Sequence, residues 1–240
     1  VTMVKDLCSE IIKKCPNNCL FCSSESSIEA TTIIPFDIFK QTIDYFMKKG
    51  GVEEISLSGG EPFLHPDLLK MVEYCKKNNI TTVIYTSGII KRHYLSNSVK
   101  NKLNDSELKI INQIESNPYD SINREILRKL KELGLDKIIF DFQSSNVDGY
   151  NYLMGTKNQY SNLLNSLLYA HFEGLETEIN FIPLRSNYDE FDDILELAEL
   201  GNVSRINVLK FVSQGRGRTN SDKIMLSVDE LREFKKYVEG

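Results

Sequence analysis

The chain is predicted to be an α/β protein whose core is a parallel sheet, a partial (βα)6 barrel of the TIM type. Three observations carry this. Short β-type runs alternate six times with longer amphipathic runs. Glycines stop most of the amphipathic runs. The 240 residues are close to the size of one α/β barrel, 41% of them are hydrophobic, and no internal linker or low-complexity segment divides them. Six βα units in series require a parallel sheet with right-handed crossovers. Six strands do not complete an eight-stranded barrel, so an open, curved sheet is expected, with ligands beyond the carboxyl ends of its strands.

Cys8 to Lys14 reads as the first strand. Pro35 opens a helix in which Phe36, Phe39, Ile43 and Phe46 recur at helical spacing, and Gly50-Gly51 stop it. Glu54 to Ser58 is the second strand, and a helix with Leu68, Leu69, Val72 and Cys75 on one face follows Pro66. Thr81 to Thr86, rich in β-branched residues, is the third strand. Residues 89–120 break the rhythm: they are polar and weakly periodic, with five Lys/Arg against two acidic residues between Lys91 and Lys109. They are expected to form a surface insertion, either a solvated loop or a lid. Ile122, Ile126, Leu127, Leu130 and Leu133 mark the third helix, stopped by Gly134. Lys137–Phe142 is the fourth strand, Leu163 to Leu168 mark the fourth helix, and Thr177–Ile182 is the fifth strand. Phe191, Ile194, Leu195 and Ala198 mark the fifth helix, and Arg205–Val212 is the sixth strand. A loop from Ser213 to Lys223 leads to a last helix, where Ser227 and Glu230 have capping-box spacing.

The net charge of −5 gives no reason to expect general binding to nucleic acid or to anionic membranes. No signal peptide opens the chain and no apolar run is long enough to span a bilayer. Five cysteines, three of them clustered, fit a reducing cytoplasm better than a secreted disulfide framework. Cys8 and Cys75 have apolar neighbours and read as core cysteines; His65 reads as a cap or packing residue.

Cys15, Cys19 and Cys22 have the spacing C-x3-C-x2-C and follow the first strand. Three close thiolates suit a soft metal or an iron–sulfur cluster. A closed zinc site would need a fourth ligand, and the first histidine is His65. Zinc completed from elsewhere and a disulfide cluster are the competing readings. Gly59-Gly60-Glu61-Pro62 ends the second strand and argues against both. Two glycines let backbone approach a ligand closely, and Glu61 supplies a carboxylate for an ammonium group.

The two motifs together resemble the radical S-adenosylmethionine (SAM) superfamily, whose core fold is the open six-stranded barrel expected above. The resemblance covers nearly the whole chain, but its specific motifs lie at the strand ends. It implies a [4Fe-4S] cluster on Cys15, Cys19 and Cys22 with one iron left open. It implies that the Gly59–Pro62 element binds the amino group of SAM, and that Phe21 packs near the adenine. It also implies reductive cleavage of SAM to methionine and a 5′-deoxyadenosyl radical that takes hydrogen from a substrate, with an electron donor such as flavodoxin or ferredoxin.

At the other strand ends the pattern is similar to SPASM-type maturases, the molybdenum-cofactor cyclase and viperin. Asp141, Gln143 and Ser144 are candidates for the ribose or methionyl part of SAM, although Asp141 falls where the pattern has a Ser. Ile179-Asn180 and Arg185-Ser186-Asn187 look like the fifth strand of that group, with Asn180 a weaker candidate and Arg185 holding the SAM carboxylate. Backbone of the sixth strand around Val212 would flank the adenine, and Gly215-Arg216-Gly217-Arg218 would form a pliable basic loop able to clamp a carboxylate or phosphate. The substrate implied is a peptide or protein. A nucleotide, nucleoside or cofactor precursor is the alternative, and a non-catalytic iron–sulfur scaffold is the third reading. The auxiliary-cluster cysteines of SPASM proteins are absent from these residues, and the chain stops in a helix where that domain would begin, which leaves open a further domain beyond residue 240.

Overall fold

In the computed structural model, which describes residues 3–239, six strands form one parallel sheet. They are β1 (Val4–Ile12), β2 (Val52–Gly59), β3 (Thr81–Thr86), β6 (Lys137–Asp141), β7 (Thr177–Phe181) and β8 (Arg205–Val208), in that spatial order. Between β3 and β6 lie β4 (Ile89–Lys91) and β5 (Tyr119–Ser121), an antiparallel pair. The helices of the crossovers are α1 (Phe36–Lys49), α2 (Leu68–Lys77), α5 (Arg124–Glu132), α7 (Tyr160–Phe172) and α8 (Phe191–Leu200). The expected partial barrel is therefore present, and neighbours in the sheet follow the order of the chain.

The helices bury most of the face their periodicity marks, but Leu195 of α8 is exposed. Phe39 and Ile43 of α1 are buried, as are Leu68, Met71, Val72 and Cys75 of α2. The α5 helix starts later than its apolar pattern suggests. Ile122 is buried ahead of it, and the Asn123 side chain accepts the Ile126 N–H at 2.9 Å to cap the first turn. Fully buried Ile55, Leu57, Ile84, Ile138, Phe140, Ile179 and Phe181 alternate along the strands and pack beneath the helices.

The opposite face of the sheet is unlike a closed barrel filled with branched apolar side chains. Glu54, Tyr85, Lys137, Glu178, Arg205 and Asn207 line a lumen of about 330 Å³. Lys137 Nζ and Asn207 Nδ2 both donate to the Glu178 carboxylate at 2.9 Å, and together they hold it below the usual carboxylate range against the opposing effect of burial. Cys8 departs from the core assignment: it is exposed, between Asp6 and Glu10, whereas Cys75 is buried as expected. The reason is the period of two along β1, which turns Cys8 away from the face that carries Ile11.

Four further segments differ from the sequence expectation. The insertion is ordered secondary structure rather than a bare loop. It carries α3 (Asn97–Lys100) and α4 (Asp105–Glu115), the latter with a capping box between Asn104 and Glu107. A helix, α6 (Val147–Met154), follows β6, capped by the Asn146 side chain on the Gly149 N–H. The sixth strand ends at Val208, because its partner β7 ends opposite it at Phe181. The Ser213–Lys223 segment is not a loop: α9 (Gly215–Ile224) occupies it, and α10 (Val228–Glu239) follows with the expected Ser227–Glu230 capping box. Among the described residues no helix is long and apolar enough to cross a membrane.

Phe234 fastens α10 to the rest. It is 5% exposed, and its ring lies 5.4 Å from Phe191 and 6.2 Å from Phe181. Phe234→Ala is expected to lower unfolding stability in denaturant by about 3 kcal/mol, with little change in the far-UV spectrum. A loss well under ~1 kcal/mol would show that this helix is not docked.

Candidate functional site

A cavity of about 370 Å³ opens at the carboxyl ends of the strands, within the roughly 300–1,000 Å³ typical of small-molecule sites. The cysteine loop forms one wall. Backbone bonds hold that loop from three sides. Asn18 N–H and Leu20 N–H donate to Met154 O and Leu153 O at the end of α6, both at 2.9 Å. Cys15 N–H donates to Ser27 O at 3.0 Å, and Gly217 N–H of α9 donates to Cys22 O at 3.2 Å. The exit of β2 completes the grip: Gly60 N–H donates to Ile12 O at 2.6 Å and Glu61 N–H to Lys14 O at 2.9 Å. Both glycines are needed for this approach. Gly59 has φ +129°, and a Cβ on Gly59 or Gly60 would overlap the carbonyl oxygens of Ile12 or Lys14.

Cys15, Cys19 and Cys22 all line the cavity, with Phe21 beside them. Burial, with Glu61 adding to it, pushes the Cys15 thiol up to about 12, and burial likewise raises Cys19 well above the ordinary thiol range. Cys19 Sγ contacts Met154 Sδ at 3.8 Å, and Cys22 Sγ stands 3.7 Å from Ser24 Oγ. Among the described residues no three His, Cys, Asp or Glu side chains are already gathered for coordination. The donor set nevertheless fits the cluster that the motif implies: three thiols facing one cavity, held by backbone bonds that leave the sulfurs without ion pairs. Coordination would take these thiols as thiolates, which a bound metal favours over their burial.

Glu61 is 0% exposed, and its carboxylate is already engaged. Oε1 accepts Phe63 N–H at 3.1 Å and Thr86 Oγ1–H at 2.7 Å. Oε2 accepts Ser87 N–H at 2.8 Å and Ser87 Oγ–H at 2.5 Å. Burial still raises its pKa, and these bonds oppose the rise. Gly59 and Gly60 line the cavity, whereas Glu61 and buried Pro62 stand behind them. The partners of Glu61, Thr86 and Ser87, do line it, at the carboxyl end of β3. In the sequence only their position at a strand end marks them.

On the opposite wall, Asp141 and Asn180 line the cavity, but Gln143 and Ser144 do not. Gln143 is buried as a bridge, donating from Nε2 to Asp141 Oδ1 at 2.5 Å and Asn180 O at 3.1 Å and accepting Ile182 N–H at 2.9 Å. Ser144 Oγ–H donates to the Glu190 carboxylate at 2.7 Å. Burial pushes the Asp141 carboxyl up to about 6, offset in part by Gln143. Val212 lines the mouth. Arg185 is exposed and away from the cavity: its guanidinium donates to Asp222 O at 3.2 Å and Met225 O at 3.1 Å, and its N–H to Ile224 O at 2.8 Å. The guanidinium at the cavity is that of Arg216, in the first turn of α9, which donates from Nε to Cys19 O at 3.1 Å. The Gly-Arg-Gly-Arg run has low helix propensity, so contact with the cysteine loop rather than local preference places this helix start.

Glu61→Gln removes the charge and sets an amide NH2 against donors. It is expected to cost roughly 2–4 kcal/mol of folding stability in denaturant titrations, since bonds to a buried charge are each worth about 1.5–3 kcal/mol. A neutral result would mean that the carboxylate is not the hub of this corner.

The family profile described as the radical SAM superfamily matches residues 9–198. A PqqA peptide cyclase of Gluconobacter oxydans (strain 621H) is 22% identical over 239 residues, which is 98% of this chain and 57% of that protein. The fold superposes on Streptococcus suis SuiB bound to its precursor peptide SuiA with a TM-score of 0.71 at 17% identity, over 100% of this chain and 46% of that one. For SuiB bound to S-adenosylmethionine the TM-score is 0.68 at 18% identity, over 99% and 47%. This chain thus spans about half the length of the relatives it matches. With the profile covering most of its residues, the chain belongs to the radical SAM superfamily.

Proposed function

We propose that this chain is the core of a peptide-modifying radical SAM enzyme. The single observation that carries the reading is the cavity lined by Cys15, Cys19 and Cys22 together with the Gly59–Gly60 backbone, at the carboxyl ends of an open parallel sheet. When bound, a reduced [4Fe-4S] cluster supplies the electron that breaks the S–C5′ bond of SAM, and the adenosyl carbon takes hydrogen from the substrate.

The residues of this chain do the positioning. The three cysteines hold the cluster. The Gly59–Gly60 backbone faces the methionyl end of SAM, with Glu61 fixing that backbone through its bonds to Thr86 and Ser87. Arg216 offers a guanidinium for a carboxylate, the role that the resemblance gives to Arg185. Asp141 and Asn180 offer acceptors and a donor to ribose hydroxyls, while Phe21 and Val212 provide the apolar flank for the adenine. Gln143 and Ser144 act one layer behind, holding Asp141 and the start of the next segment. Tyr85, Ile139, Asn180 and Leu209 line both the cavity and the polar lumen beneath it. What supports a peptide substrate is the likeness to PqqA peptide cyclase and to SuiB bound to its precursor peptide. The chemistry calls for a low-potential donor of the flavodoxin or ferredoxin kind and a reducing compartment such as the cytoplasm.

The test is anaerobic reconstitution with iron and sulfide, then dithionite and SAM, with 5′-deoxyadenosine measured. Wild-type protein is expected to form it, and Cys19→Ala to lose it by at least about 100-fold, the scale on which loss of a metal ligand's support acts. Tightly bound zinc in place of iron, with no product, would overturn the proposal.

A further inference from the structure

Asn17 lies between the first two cysteines of the motif and is 2% exposed, yet neither Oδ1 nor Nδ2 has a hydrogen-bond partner. The hydroxyl of Tyr150, a residue with 0% exposure, is also unpaired. The two lie on adjoining segments, Asn17 in the cysteine loop and Tyr150 on the helix whose end bonds that loop. Asn17 offsets part of the rise that burial and Cys19 impose on the Tyr150 phenol, although no hydrogen bond is closed between them. Buried polar groups are almost always paired, and an orphaned couple asks for an explanation. The other buried polar side chains around the cavity, Glu61, Gln143 and Asn187, are all bonded.

Neither member of the couple is free to turn towards water. Asn17 lines the cavity between Cys15 and Cys19. Tyr150 is on α6, whose last turn is bonded to Asn18 and Leu20. The acceptor that Asn17 Nδ2 lacks must therefore come from the cavity side, where the three sulfurs are. An amide N–H is a suitable donor to an inorganic sulfide or a thiolate, and a Tyr O–H is a suitable donor to an amide oxygen.

We infer that Tyr150 and Asn17 form a relay to the cluster, in which Tyr150 O–H donates to Asn17 Oδ1 and Asn17 Nδ2–H donates to a cluster sulfur. Asn17 is then a positioning residue that sets the reduction potential, and Tyr150 fixes the orientation of its amide. A donor to sulfur stabilises the reduced, more negative cluster and so raises its potential. The inference rests on the reading that Cys15, Cys19 and Cys22 carry a [4Fe-4S] cluster.

The test is an electron paramagnetic resonance redox titration of anaerobically reconstituted wild type, Asn17→Leu, Tyr150→Phe and the double variant, each with its iron content measured. The midpoint potential is expected to fall in Asn17→Leu and to fall less in Tyr150→Phe. The double variant should sit no lower than Asn17→Leu, because Tyr150 acts through Asn17. Full iron content with unchanged or higher potentials would overturn the relay while leaving the cluster reading intact. If Asn17→Leu holds no iron, Tyr150→Phe decides: a lowered potential supports the relay and an unchanged one overturns it. A wild type that holds no iron would remove the cluster reading and the relay with it.

Discussion

The contact on which the site depends is a backbone one: Gly60 N–H to Ile12 O at 2.6 Å, with Glu61 N–H to Lys14 O beside it. These two bonds weld the exit of β2 to the start of the cysteine loop at a spacing that no side chain could share. The sheet register leads to the same place, since Ile12 pairs with Gly59 after a register shift in β1. Two motifs some forty residues apart in the chain thus become one wall of one cavity. Glu61 then ties that wall to β3 through Thr86 and Ser87, so three consecutive strands share a single fixed corner.

Around that corner the chemistry is arranged by burial. The thiols of Cys15 and Cys19 are raised, and the Asp141 carboxyl is pushed up to about 6. Iron bound at Cys15 and Cys19 would favour their thiolates over the burial that raises them. The lumen below is kept polar by Lys137, Glu178 and Asn207, whose mutual bonds let charge remain inside the sheet without an apolar filling. The barrel is open at β8, so its interior does not need to be sealed by side chains from a full ring of strands.

Much of this was legible in the sequence because it is periodic or sharply patterned. All six strands of the parallel sheet and all five crossover helices appear in the expected order, with shifted bounds at β1, which starts at Val4, at β8, which ends at Val208, and at α5, which starts after Ile122; Ser227 and Glu230 cap the last helix as their spacing requires. Cys15, Cys19, Cys22, Gly59 and Gly60 meet at one cavity. What escaped was set by tertiary contact. The α9 helix has a glycine-rich, basic start held against the cysteine loop by bonds to Cys19, Leu20 and Cys22. Arg185 and Arg216 look equally suited to a carboxylate in a linear sequence. The fold commits the first to carbonyls near Met225 and brings the second to the cavity. Thr86 and Ser87 carried no pattern beyond ending a strand. Cys8 looked apolar in its neighbourhood, but the period of two turned it outward.

The central claim is that three cysteine sulfurs hold an iron–sulfur cluster with one iron left for SAM. Mössbauer spectroscopy of the reconstituted, iron-57-labelled protein with and without SAM tests it directly. The account predicts a [4Fe-4S] spectrum in which one iron subsite shifts on adding SAM while the others hold their parameters. A spectrum of equivalent irons indifferent to SAM, or no cluster iron at all, would contradict it.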